Sequence, residues 1–197
     1  MTTTSDRMRS STGDMGPAVP ADPTTSRTTP TEASTRSFET PGEAPRAVPS
    51  LAALAGHPLH PMIVPLPIGA AVGALVADVL YVRTADPFWA RSSRHLTDGA
   101  ILTGALAASL GAVDFLGRPE IRQQPAAWVH AGGNAAVLGL ALLGRRARRQ
   151  DERRAVVPTG LTLSLLSGVI LGVTGWLGGE LSYRHRVGVI PTPGEQR

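Results

Sequence analysis

"PLPIGAAVGALVADVLYV", residues 65 to 82, carries a single charged side chain, Asp78, in 18 residues. As a helix at 1.5 Å per residue it is about 27 Å long, close to the roughly 30 Å of a bilayer's hydrocarbon core. Three more runs of this kind follow: 98–116, "DGAILTGALAASLGAVDFL"; 126–143, "AAWVHAGGNAAVLGLALL"; and 159–181, "TGLTLSLLSGVILGVTGWLGGEL". A soluble amphipathic helix would show a charged face at every turn, and none of the four does. The pattern predicts an all-α fold, an integral membrane four-helix bundle. Short connections make neighbours antiparallel, so the order is up-down-up-down. Pro65 and Pro67 suit a first turn, Asp98 is placed to cap the second helix, and Pro158 precedes the fourth. G-x-x-x-G steps at Gly69/Gly73, Gly168/Gly172 and Gly175/Gly179 read first as close packing within one chain, with homodimerisation as their other use.

Composition divides the chain. Residues 1–50 are rich in Thr, Ser, Pro and Ala and nearly free of large apolar side chains, so they cannot offset the entropy of ordering. They form an expected disordered tail before a membrane domain at 51–190, and residues 191–197 form a short flexible end. All 19 basic residues are Arg, and the pI is near 10.8. A nucleic-acid partner does not follow, because the densest cluster, "RRARRQDERR" (145–154), lies between two apolar runs. Without cysteine there is no disulfide, Fe–S cluster or thiolate ligand. The first 45 residues hold no apolar h-region, so the helices themselves are expected to direct membrane insertion.

An alternating bundle puts the start of helix one, the end of two, the start of three and the end of four at one membrane face. Those ends carry His57 and His60, then Asp114, then Trp128, His130 and Asn134, then Trp176, Glu180, Tyr183 and His185. Four of the five histidines and two carboxylates therefore gather at one face. Carboxylates and imidazoles at membrane depth are costly and point to function. Imidazoles ligate haem iron, copper and zinc. The candidate cofactor ligands are His60, His130 and His185, and a metal shell would add His57, Asp114 and Glu180. His57, His60 and His185 fall at or beyond helix ends, where interface roles compete. Asp114 can pair with Arg118, Glu180 with Arg184, and Asp78 with Arg83 or a neighbour of Asp98.

The stretches "GHPLHPMIVPLPIG" (56–69), "VDFL" (113–116), "WVHAGGN" (128–134) and "GWLGGELSYRHRVGV" (175–189) resemble the predicted membrane protein family catalogued as domain of unknown function 2231. The resemblance runs from about Gly56 to Val189 and implies four transmembrane helices. It supplies a fold and no mechanism. The family's motif histidines fall on His57, His60, His130 and His185. Its closing motif commonly reads Tyr-Arg-His-Gly-Val-Gly-Val, and here Arg186 stands at the first glycine.

Three functions are open on these residues. One is a redox-linked membrane protein binding haem b or a divalent transition metal through the His and carboxylate cluster. The second is a non-catalytic subunit or scaffold docking a membrane partner or a second copy of the chain. The third is a proton-linked carrier using Asp114, Glu180 and His130, for which the apolar middle of the bundle offers few groups. The sequence carries no nucleophile elbow, P-loop or dinucleotide fingerprint, which argues against a soluble enzyme.

Arg counts near the helix ends set the expected orientation in a cell membrane. Loops 83–97 and 144–158 together hold nine Arg, against five on the other face. The positive-inside rule places these two loops in the cytoplasm and both termini outside. A cysteine introduced at Gln150 should resist a membrane-impermeant maleimide in intact cells and react after lysis. Labelling of intact cells would reverse the orientation.

Overall fold

The computed structural model describes residues 46–149 and 151–191, apart from the side chains of Glu152 and Arg154. The expected tail up to residue 45 lies outside these residues, as does all of the expected C-terminal segment except Pro191. A short antiparallel hairpin, β1 (Ala53–Leu54) and β2 (His57–Pro58), turns the chain through Ala55 and Gly56, both at positive φ. Helices follow as α1 (Leu59–Ile63), α2 (Pro65–Thr84), α3 (Pro87–Gly117), α4 (Pro119–Arg122), α5 (Pro125–Ala147), α6 (Glu152–Val156) and α7 (Thr159–Tyr183). Among the described residues, four helical segments are long and apolar enough to span a membrane: Leu59–Thr84, Pro87–Gly117, Pro125–Ala147 and Thr159–Tyr183.

The second span starts 11 residues before the expected Asp98. Asp86 is its N-cap and accepts from the Phe88 N–H at 2.9 Å, and Pro87 fills the first helical position. Arg91, Arg94 and His95 lie in the early turns of α3, outside its apolar stretch. An apolar-run reading finds the membrane-crossing part of a helix and misses polar turns beyond it. Asp98 therefore sits inside α3, where it accepts from Arg145 of α5 at 2.6 Å.

In the bundle, α2 packs on α3 and α7, and α5 packs on the same two helices. The helices thus form a ring in which α2 and α5 stand on a diagonal. The buried apolar positions in the spans are mainly alanines, including Ala74, Ala77, Ala90, Ala100, Ala107 and Ala127. Small side chains let helix backbones approach closely where lipid offers no hydrophobic drive. Leu102, Leu106, Val169 and other large apolar side chains are exposed on the bundle's outer surface. Gly73 and Gly168 face leucines of neighbouring helices, but a Cβ on Gly69, Gly172 or Gly175 would meet nothing within 4 Å. Close packing within the chain therefore accounts for only part of the G-x-x-x-G steps.

One buried polar cluster joins all four spans. Asp78 of α2 is 0 % exposed, and it pairs with Arg148, 2 % exposed, at the end of α5. Ser93 of α3 donates to Asp78 and accepts from Arg148 Nε at 2.9 Å. Ser164 of α7 donates to Asp78 at 2.6 Å and accepts from Arg148 at 2.8 Å. The expected partners of Asp78, Arg83 and a neighbour of Asp98, are replaced by a cation 70 residues away.

The other face is closed by chain ends. Asp114 accepts from the Ser50 hydroxyl at 2.7 Å and from the backbone N–H of Leu51 at 2.6 Å and Ala52 at 3.2 Å. Val48 N–H donates to the Arg186 carbonyl at 3.0 Å, and Gly188 N–H to the Val48 carbonyl at 2.9 Å. Residues 48–50 are thus built into the fold. Arg186 has φ 53°, so an L side chain stands in a left-handed turn that glycine adopts more readily.

Removing one partner of a buried pair strands the other charge, at a cost of about 3–5 kcal/mol. Arg148→Ala should therefore lower the detergent melting temperature strongly, and Asp78→Asn/Arg148→Leu should recover part of the loss. A single variant melting with the wild type would show that the cluster does not hold the bundle.

Candidate functional site

The hairpin β1–β2 folds the entering chain back, and the Leu59 N–H donates to the Ala52 carbonyl at 2.8 Å. His60 then enters the bundle on α1, and its Nδ1 lies 2.8 Å from the Ala107 carbonyl of α3. His130, in the second turn of α5, repeats the arrangement on α7: its Nδ1 lies 2.8 Å from the Thr174 carbonyl. A carbonyl oxygen can only accept, so both Nδ1 atoms carry a proton and donate. In a neutral imidazole the other nitrogen then holds a lone pair. Neither Nε2 has a hydrogen-bond partner among the described residues.

The two rings meet across the α2–α5 diagonal. Their centroids are 6.4 Å apart and their planes stand at 83°. Ala107 precedes the last residue of α3 by ten positions, which is about 15 Å of helix. Thr174 precedes the end of α7 by nine, about 14 Å. The pair therefore lies inward of the ends of α3 and α7, in the first turn of α1 and the second of α5, with both rings half-buried. His60 is the second residue of α1, at a helix start as expected, and α3 runs on past it, so the hairpin β1–β2 and not His60 lies at the mouth.

Two glycines make this docking possible. Gly111 is four residues beyond Ala107, and Gly178 is four beyond Thr174. A Cβ on Gly111 would stand 3.0 Å from His60 Cε1 and Nδ1, and one on Gly178 would stand 3.0 Å from His130 Cε1. Each imidazole thus lies against a stretch of helix without a side chain and reaches a carbonyl already inside the helical ladder. Asn134 donates to the His130 carbonyl at 2.8 Å, and its amide oxygen is 3.4 Å from the buried Thr174 hydroxyl.

The other expected ligands are drawn elsewhere. Among the described residues, no three His, Asp or Glu side chains gather into a group that could hold a metal ion. Asp114 caps the backbone at residues 51 and 52 instead of pairing with Arg118. Glu180 accepts from Arg184 at 3.2 Å, the ordinary pairing one turn away. His57 is exposed on β2, and His185 lines a separate cavity with Arg46 and Arg118. Of His57, His60, His130, His185, Asp114 and Glu180, the fold brings together His60 and His130. Trp128, Trp176 and Tyr183 are exposed at this face, where amphipathic rings anchor a protein at the headgroup level.

Residues 56–191 match the family described as predicted membrane protein DUF2231, and the chain belongs to that family. No curated protein and no solved structure matches the chain.

Gly178→Val should push His130 off the Thr174 carbonyl and destabilise the fold by about 1–3 kcal/mol, the usual cost of overpacking. Gly172→Val, whose Cβ meets open space, should melt near the wild type. Nitrogen-15 NMR of the histidines should also show loss of the Nδ1–H tautomer in the first variant alone. Equal melting of the two variants would remove the steric role given to Gly178.

Proposed function

We propose that this membrane protein holds a metal-centred cofactor between His60 and His130 in a redox-linked role, with haem iron as the favoured centre. The observation that carries the reading is the pair itself: two crossed imidazoles, each oriented through Nδ1–H by a main-chain carbonyl, each keeping an Nε2 lone pair. Metal-ligating histidines are commonly fixed this way, because the hydrogen bond at one nitrogen sets the tautomer and orientation of the other. The ring centroids stand 6.4 Å apart, close enough that His60 and His130 would be the residues to hold such a centre. Membrane and soluble bundles hold cofactors between facing helices.

Donor number favours haem over zinc. A structural zinc site takes four ligands, and a catalytic one takes three plus water. A haem iron needs only one or two axial groups from the protein. Copper with two imidazoles is the second metal this donor set accommodates. His185, expected as a third ligand, takes no part in the reading. The chain's own contribution is to orient the rings through their Nδ1–H groups and to hold them half-buried between helices. A membrane redox partner, or a second copy of the chain, would exchange electrons with such a centre. On the Arg-count orientation, the His60–His130 end faces away from the cytoplasm.

The test is an absorbance spectrum and metal analysis of the full chain purified from haem-supplemented cells. A Soret band, or copper at one per chain, is expected. His60→Ala and His130→Ala should each abolish it, while His57→Ala and His185→Ala should leave it in place. A wild-type protein without haem or stoichiometric metal would overturn the proposal.

A further inference from the structure

A second polar feature lies at the same membrane face and uses neither His60 nor His130. A cavity of about 380 Å³ opens where the entering chain, the α3–α5 connection and the segment after α7 meet. Its polar lining comes from Arg46, Arg118, Glu120, Gln123, Gln124 and His185. One wall is the Val48–Val187 bridge, so main-chain hydrogen bonds fix the opening's shape. Arg118 ends α3 in an extended conformation. Its Nε is buried and has no hydrogen-bond partner, the one such side-chain atom among the described residues. The fold thus leaves part of this guanidinium uncompensated, while the residue lines the cavity.

The charges do not cancel within the cavity. No ion pair among the described residues involves Arg46 or Arg118. Glu120 on the lining is exposed and pairs with neither. Arg122, by contrast, is committed: its guanidinium donates to the Phe115 and Leu116 carbonyls and closes the end of α3. Two guanidinium groups with an imidazole and two amides beside them form a donor set for an oxyanion with several acceptor atoms. Planar guanidinium groups match phosphate geometry and bind it with two parallel hydrogen bonds. The cavity stands at the ends of α3 and α7, the face whose exposed Trp128 and Tyr183 suit the headgroup level.

We propose that this cavity binds a phosphate group, supplied by a phospholipid headgroup or by a free phosphate ester. Arg118 is the central donor, and Arg46 closes over the phosphate from the entering chain. Arg46 precedes the family match at 56–191, so part of this site is built by sequence outside the family domain.

The experiment uses the full chain purified in detergent, with native mass spectrometry and thermal melting as readouts. The probes are phosphatidylglycerol, diacylglycerol and inorganic phosphate. Phosphatidylglycerol should bind at one per chain and raise the melting temperature, and diacylglycerol should do neither. Arg118→Gln and Arg46→Gln should each weaken binding about tenfold, the loss of one charge-assisted hydrogen bond. Arg46 is exposed and makes no side-chain hydrogen bond to another described residue, so its variant tests the site with little disturbance of the described fold. Arg83→Gln, at the opposite face, should bind as the wild type does. Protection by inorganic phosphate at millimolar concentration, equal to that by the lipid, would identify a free phosphate as the source and support the same chemistry. Diacylglycerol binding as well as phosphatidylglycerol, unchanged binding in Arg46→Gln/Arg118→Gln, or no binding of either phosphate probe would overturn the proposal.

Discussion

The buried pair of Asp78 and Arg148 is the constraint around which the bundle is arranged. A lone charge in hydrocarbon is costly, and so is a pair unless its remaining donors and acceptors are met. Here Ser93 and Ser164 supply those partners from the two flanking helices. Each of the four spans gives one side chain, so the cluster fixes which helices are neighbours and how far each one slides. The alanine-rich packing between helices adds closeness but little register of its own, since small side chains interlock weakly.

The same register places the histidines. Asp78 follows His60 by 18 residues, and Arg148 follows His130 by 18. Eighteen residues make five turns of an α-helix, so His60 and Asp78 fall on one face of the span Leu59–Thr84, and His130 and Arg148 on one face of α5 with its C-cap. The diagonal helices therefore meet twice across the bundle, at an ion pair near one end and at an imidazole pair deeper from the other. Locking the first contact leaves the second little freedom. Gly111 and Gly178 complete the arrangement by admitting the rings to the carbonyls of α3 and α7.

Much of this was legible in the sequence, and the illegible parts share a physical cause. The four spans follow from length and the scarcity of charge, and the gathering of histidines at one end follows from alternation alone. Pairing between distant polar side chains did not follow. Proximity in sequence gives Asp78 to Arg83 or to a neighbour of Asp98, although the equal 18-residue spacings of His60 to Asp78 and His130 to Arg148 are legible. Asp114 and Glu180 looked like metal ligands by residue type, yet main-chain N–H groups engage the first and a neighbouring Arg the second. The roles of the Ala107 and Thr174 carbonyls have no sequence signal beyond a glycine four residues on. The cavity at Arg118 is assembled from three separated segments, which composition and periodicity do not relate.

The long reach of the ion pair also has a meaning in time. A ribosome delivers this chain from its N-terminus, so α2 and α3 are made before α5 exists. Asp78 and Arg148 are 70 residues apart, which at about 5–20 residues per second is an interval of roughly 4–14 s. Through that interval the first hairpin carries an acidic group without its cation, with Ser93 as its only partner in the cluster. The hairpin's settled position in the lipid must await the third span. Commitment of the nascent chain therefore comes with the emergence of Arg148, ahead of the last helix.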